Sequence, residues 1–212
     1  VIQKHIDAVG GTDNWNKVKS MKMTGSMSMG GMEIGMTQTV LNDKGMRVDI
    51  SAMGSNGYTI ITPDAGWSYM PFGGQDKVTA LPADQVKMSK SRLNVKNGQM
   101  VDKSLIAKSE YVGKDTLNSV PCHKLKVTDK EGNVSTCYID TKTYYIVRTE
   151  VKATVQGEEH EEGVNFSNFQ KLAGGIVMPM TFGTSQGDIT FKSMEVNVPV
   201  DESIFKPTEP KK

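Results

Sequence analysis

The chain has 212 residues, 25 Lys and Arg against 24 Asp and Glu, a formal net charge of +1, and 14 Met. A balance this neutral, with no basic run, excludes the electrostatic footprint of a nucleic-acid binder, and no apolar stretch approaches the ~20 residues of a membrane-spanning helix. The length predicts one domain over 1–212 with room for a real core. Because the chain opens at Val1 rather than Met, removal of preceding residues, by processing or by deliberate truncation, is expected, and no signal peptide is visible.

Val1, Ile2, His5, Ile6 and Val9 form one helical stripe that Gly10-Gly11 ends. Thr12 or Asp13 caps a second short helix carrying Trp15 and Val18. From there the chain reads as strands. Met21, Met23, Met27 and Met29 alternate with Lys22, Thr24, Ser26 and Ser28, so the thioethers share a strand face. Gly30-Gly31 supplies the positive φ angles of a tight turn. Pairing outward sets Met29 opposite Met32, Met27 opposite Ile34, Gly25 opposite Met36, and Met21 opposite Val40. Methionine is unbranched and polarizable, whereas Val and Ile suit strands better by propensity. The face reads either as a soft wall for an apolar ligand or as ordinary core filled by adaptable side chains.

MRVDIS alternates Met46, Val48 and Ile50 against Arg47, Asp49 and Ser51. YTIIT and GWSYM form a hairpin around Pro63–Gly66. Residues 82–104 lose the alternation, and Pro82 followed by good helix formers predicts one or two short helices ending near Asn97-Gly98. Strands resume in LIAKSEYV, CHKLKVT, VSTCYID, YYIVRTEVKATV, EGVNFSNFQKL, IVMPMTF and DITFKSMEVNV. Turns are predicted at Gly113–Asn118, Asp129–Asn133, Gly157, Gly174-Gly175 and Gln186-Gly187. The sum is an antiparallel sheet of about nine to eleven strands with helices at two places only, and a polar tail, TEPKK.

Cys122 and Cys137 flank the Asp129–Asn133 turn. A four-residue loop pairing Thr128 with Asn133 puts both sulfurs on one face, and a three-residue loop pairing Asp129 with Asn133 puts them on opposite faces. A disulfide is permitted but not required. Catalytic chemistry is hard to assemble. His160-Glu161-Glu162 lacks the second His of a zinc helix motif, Cys122 and His123 alternate faces, and His5 sits on an apolar stripe. GGQDK at 73–77 lacks phosphate-loop spacing, and no nucleophile elbow occurs. The acidic run at 158–162 reads as a solvated hairpin tip. No catalytic residue, metal ligand or cofactor is expected.

PDAGWSYMPFGGQDKV at 63–78 resembles the D-G-x-x-W-x-Y-x-P segment of the periplasmic lipoprotein-carrier family, the LolA/LolB-like proteins. Asp64, Gly66, Trp67, Tyr69 and Pro71 carry the match, with Trp67 following Gly66 directly. The opening IDAVGGTDNWNKVKSMKMTG and the close VNVPVDESIFKP (Val200, Asp201, Ile204, Phe205) are similar to the ends of its outer-membrane lipoprotein-sorting branch. The resemblance implies a mainly β (α+β) fold, a curved antiparallel half-barrel with short helices covering the concave face and an apolar cavity between. It implies non-enzymatic binding of lipid or lipoprotein acyl chains, in the periplasm or anchored at the outer membrane. A monomer, an envelope protein partner and no nucleic acid are expected. In the carrier proper a strand arginine latches the lid; Arg47 alternates with Met46 and Val48 and so faces away from the apolar side, a departure from that pattern. The expected ligand-binding residues are Met21, Met23, Met27, Met29, Met32, Ile34, Met36 and Val40, with Trp67, Tyr69 and Phe72 at a cavity mouth. For Trp67 a core anchor beneath its hairpin is the equal alternative. An interaction or sensor module with a filled interior is the second reading of function, and a hydrolase the third.

Overall fold

The computed structural model describes the chain apart from residues 98, 131, 156–157 and 209–212, and describes no side chain at 29, 152–155 and 158–161. The fold is mainly β, with the short helices α1 (Ile2–Ala8), α2 (Thr12–Asn16) and α3 (Ala83–Ser89). Thirteen strands follow in chain order: β1 (Ser20–Met29), β2 (Met32–Leu41), β3 (Gly45–Ala52), β4 (Ser55–Ile61), β5 (Gly66–Tyr69), β6 (Thr79–Ala80), β7 (Ile106–Leu117), β8 (Val120–Asp129), β9 (Val134–Asp140), β10 (Ile146–Val155), β11 (Glu158–Lys171), β12 (Val177–Thr184) and β13 (Gly187–Val196). They form one open antiparallel sheet in the order β6-β5-β4-β3-β2-β1-β13-β12-β11-β10-β9-β8-β7. The strand count exceeds the nine to eleven expected. The strand with no counterpart among the expected segments is β6, whose two residues are too short to display a period of two.

The chain divides into two compact units, Val1–Asn16 with Gln99–Ile189, and Lys17–Gly98 with Thr190–Lys212. In the first, α1 buries His5 and Ile6 and ends where Gly10 and Gly11 take φ angles of 111° and 80°. Gly10 is required twice over, because a Cβ there would stand 2.9 Å from Cα of Ile176. The Trp15 indole is fully buried and donates to the Val9 carbonyl at 2.9 Å. The core of this unit joins Leu125, Val127, Cys137, Ile139 and Ile146, with Ile2, Met100 and Tyr144 packed against it.

One expected turn is corrected and one open alternative is decided. The turn predicted at Gly113–Asn118 is strand: β7 runs through Gly113 on a bulge, and the reversal is the two-residue turn Asn118-Ser119, both at positive φ. The Asp129 turn takes the three-residue form, with Asp129 N–H donating to the Asn133 carbonyl at 3.0 Å and Thr128 opposite Val134. That register puts Cys137 on the Leu125 face and Cys122 on the other, and both thiols are free and buried.

The second unit is built on the β1–β6 meander. The β1–β2 register is the predicted one at all four named pairs. Gly30 and Gly31 take φ of 58° and 81° at its tip. Short helices stand where they were expected, α3 behind Pro82 running into a 3₁₀ turn at Lys90–Leu93, but they end at Leu93 rather than near Asn97-Gly98.

Candidate functional site

Register alone assigns side chains in the second unit to two faces, because directly paired residues share a face. On one face the β1–β4 ladder stacks cross-strand rows. The lowest is Met21, Val40, Met46 and Ile61, all buried, with Leu93 in the same cluster and Leu81 and Val95 packed against it. Next comes Met23, Gln38, Val48 and Thr59, in which the Gln38 amide donates to the Met46 sulfur at 3.3 Å. The third row is Gly25, Met36, Ile50 and Gly57. Met27 with Ile34 forms the fourth, and Met29 with Met32 the hairpin tip. The methionine run is broken at Gly25 because the backbone of Thr190-Phe191 passes where its Cβ would stand.

Burial falls steadily along this face. Met21 is 0% exposed and Met23 7%, Met27, Ile34, Met36 and Ile50 are half-buried, and Met32 is 48% exposed. The Met29 side chain lies outside the described residues. The lowest row is therefore filled core, the second is half-buried apart from Met23, and the upper rows form a partly exposed apolar surface. At ~3.4 Å per residue the open part, from Gly25 to Met29, is about 14 Å long. The Met70 sulfur and the Phe72 ring lie over Gly57, at 3.0 and 3.1 Å from where its Cβ would be, so they extend the third row. Ile50, read from sequence only as part of an apolar strand face, and Met70 were not among the expected ligand-binding residues; following the register beyond the first hairpin finds Ile50.

Trp67 and Tyr69 are on the opposite face. Trp67 pairs with Ile60, which pairs with Arg47, and Tyr69 pairs with Tyr58. Both pack against Tyr58, Ile60 and Phe205 beneath the C-terminal segment, together with Val200 and Ile204. Arg47 ties that segment down: its Nη1 donates to the Ile204 carbonyl at 3.1 Å, its Nε and Nη2 hold Asp49 at 2.8 Å, and its guanidinium lies 4.5 Å from the Tyr58 ring centre. The Tyr58 hydroxyl donates to the Thr208 carbonyl at 2.8 Å. Of the three aromatic candidates, the structure brings only Phe72 to the methionine side.

Among the described residues no three metal-ligating side chains gather, no buried side-chain polar atom lacks a partner, and no helix is long and apolar enough to cross a membrane. The open rows offer thioether and aliphatic surface, suited to burying hydrocarbon.

No protein-family model matches the chain, and no curated protein sequence does. Solved structures do. A LolA superfamily protein from Nitrosomonas europaea is similar with a TM-score of 0.58 at 13% identity, over 97% of each chain. A DUF1329 family protein from Desulfovibrio piger gives 0.58 at 12% identity, again over 97% of each. An outer-membrane lipoprotein-sorting protein domain, assigned as such in Vibrio parahaemolyticus, gives 0.54 at 13% identity over 97% of each. At these identities the likeness establishes the fold, the one the sequence resemblance implied.

Proposed function

We propose that this chain is a non-enzymatic carrier or sensor of the cell envelope, which holds the acyl chain of a lipid or lipoprotein against the upper rows of its methionine face. One observation carries this reading: an apolar face that is packed shut at Met21 and Val40 and left half-open from Met36 to Met32. The fold shared with a LolA superfamily protein and a lipoprotein-sorting domain supports the ligand class. The same gradient narrows the binding set. Met21, Met23 and Val40 are walls, and Met27, Ile34, Met36, Ile50 and Phe72 meet the ligand.

Burying about eight methylenes at ~0.8 kcal/mol each supplies ~6 kcal/mol, a dissociation constant on the order of tens of micromolar. The protein should therefore raise the fluorescence of an apolar naphthylamine probe and lose that signal to palmitate. Met27→Glu with Met36→Glu abolishes the signal, because the ligand would bury two unpaired carboxylates. Both positions are half-open, so far-UV circular dichroism stays native. Met88→Glu, at a position 75% exposed, leaves the signal unchanged. Wild-type protein that fails to bind the probe well above micromolar concentration refutes the reading.

A further inference from the structure

The first unit carries a cluster that acyl binding does not use. His123 on β8 stands opposite Lys114 on β7, so the two share a face. The Tyr111 hydroxyl lies 3.2 Å from His123 Nδ1, and the two rings are 5.8 Å apart. On the other side His123 stacks on Tyr144 at 6.0 Å. Lys4 of α1 reaches over that ring, its ammonium 5.0 Å from the centre and donating to the Tyr144 hydroxyl at 3.2 Å.

Three features point outward to a ligand. Charge is the first: Lys4 and Lys114 make no ion pair among the described residues, and the nearby carboxylate of Asp115 sits on the opposite face, 3.5 Å from Lys124. In a chain whose acids and bases nearly balance, this face is left cationic. Donor geometry is the second. The Tyr111 hydroxyl and His123 Nδ1 are hydrogen-bonded at 3.2 Å, so the pair presents one proton outward, on Nε2 or on the Tyr111 hydroxyl according to the imidazole tautomer. Strain is the third: Tyr144 holds φ at 59°, a left-handed conformation costly for an aromatic residue. Glycine or asparagine would hold that turn at lower cost, but would lose the ring that joins His123 to Lys4.

We propose that Lys4, Lys114, His123 and the hydroxyls of Tyr111 and Tyr144 bind a phosphate monoester or diester. Ammonium and imidazole N–H groups with aromatic hydroxyls are the donors such an oxyanion takes, and the group supplies the negative charge this face lacks. Burial lowers the His123 pKa, and the charges of the Val1 α-amino group, Lys114 and Lys4 push the same way; a bound phosphate reverses that push. The groups around His123 are Tyr111 and Lys114 from β7, Ile139 from β9, the Val1 α-amino group, Lys4 from α1, and Tyr144.

The test follows the His123 side-chain resonances by NMR through a pH titration, with glycerol 3-phosphate and separately with dihexanoyl phosphatidylglycerol. The expected result is a saturable shift and an upward move of the His123 pKa. Lys4→Ala with Lys114→Ala weakens binding about tenfold, because two exposed charges facing the anion are lost. Saturation by glycerol 3-phosphate assigns the site to soluble phosphoesters, and saturation by the lipid alone assigns it to a headgroup. No saturable shift with either at millimolar concentration, or equal affinity in the double variant, overturns the proposal. The acyl-probe assay reads the other unit, so either proposal fails without the other.

Discussion

Among the contacts that hold the C-terminal segment on the Trp67 face, the Phe205 ring against Gly45 is open to direct energetic test. Phe205 is 5% exposed and clusters with Tyr58 and Ile60. Its ring also lies against bare backbone: a methyl group at Gly45 would fall 2.5 Å from Cγ and 2.7 Å from Cδ1. Phe205→Ala loses the transfer free energy and leaves a cavity that no Gly45 side chain can fill, a cost of about 3–4 kcal/mol. Gly45→Ala drives a methyl into the ring, an overpacking cost of about 1–3 kcal/mol. The two changes relieve each other. In the Phe205→Ala background the new methyl occupies vacated space, and the cost of Gly45→Ala falls to roughly zero or becomes a gain of about 0.4–1 kcal/mol from the stiffened unfolded chain. Urea titrations followed by tryptophan fluorescence measure the cycle, with Trp67 packed in the same cluster. The coupling should exceed ~1 kcal/mol. Additivity within ~0.5 kcal/mol would show that ring and backbone are not in contact.

Two further predictions concern titrating groups. Burial raises the thiol pKa of both Cys122 and Cys137, so neither reacts with a disulfide reagent in the native protein, and non-reducing electrophoresis shows no cross-linked form. Above the ordinary thiol value, unfolded thiols ionise while native ones stay protonated; stability therefore falls with rising pH, and Cys122→Ala with Cys137→Ala removes part of that slope. His5 is buried between the Tyr144 and Gln99 carbonyls, at 2.8 and 2.9 Å, and burial lowers its pKa against the opposing pull of those two bonds. Its stabilising contribution is present above about 6.5, the unfolded value, and is lost as pH falls toward the native one. His5→Asn should flatten the acid limb of a stability–pH curve, and an unchanged limb would contradict the assignment.

Local pattern made the methionine hairpin legible: Gly30-Gly31 fixed the turn, and period two fixed every partner. The same logic identified Arg47 as facing away from the methionines. It did not reach the covering of the opposite face, because the contact of Phe205 with Gly45 joins residues far apart in the chain and leaves no periodic trace. Trp67 shows the limit clearly. Its motif marked it as distinctive, but its face follows only from pairing with Ile60, which depends on the length of the Thr62–Ala65 turn. Gly113 looked like a turn because glycine serves bulges and turns equally. The Lys4–Tyr144–His123 stack was invisible for the reason Phe205 was: three distant segments meet there.

The central claim is that hydrocarbon lies on the upper methionine rows, and methyl NMR reads it residue by residue. With carbon-13 in every methionine methyl, palmitate should shift Met27, Met32 and Met36 saturably and together. Met53 and Met88, 78% and 75% exposed, should stay in place. Shifts at Met53 and Met88 equal to those at Met27 and Met36, or none at all, would contradict the account.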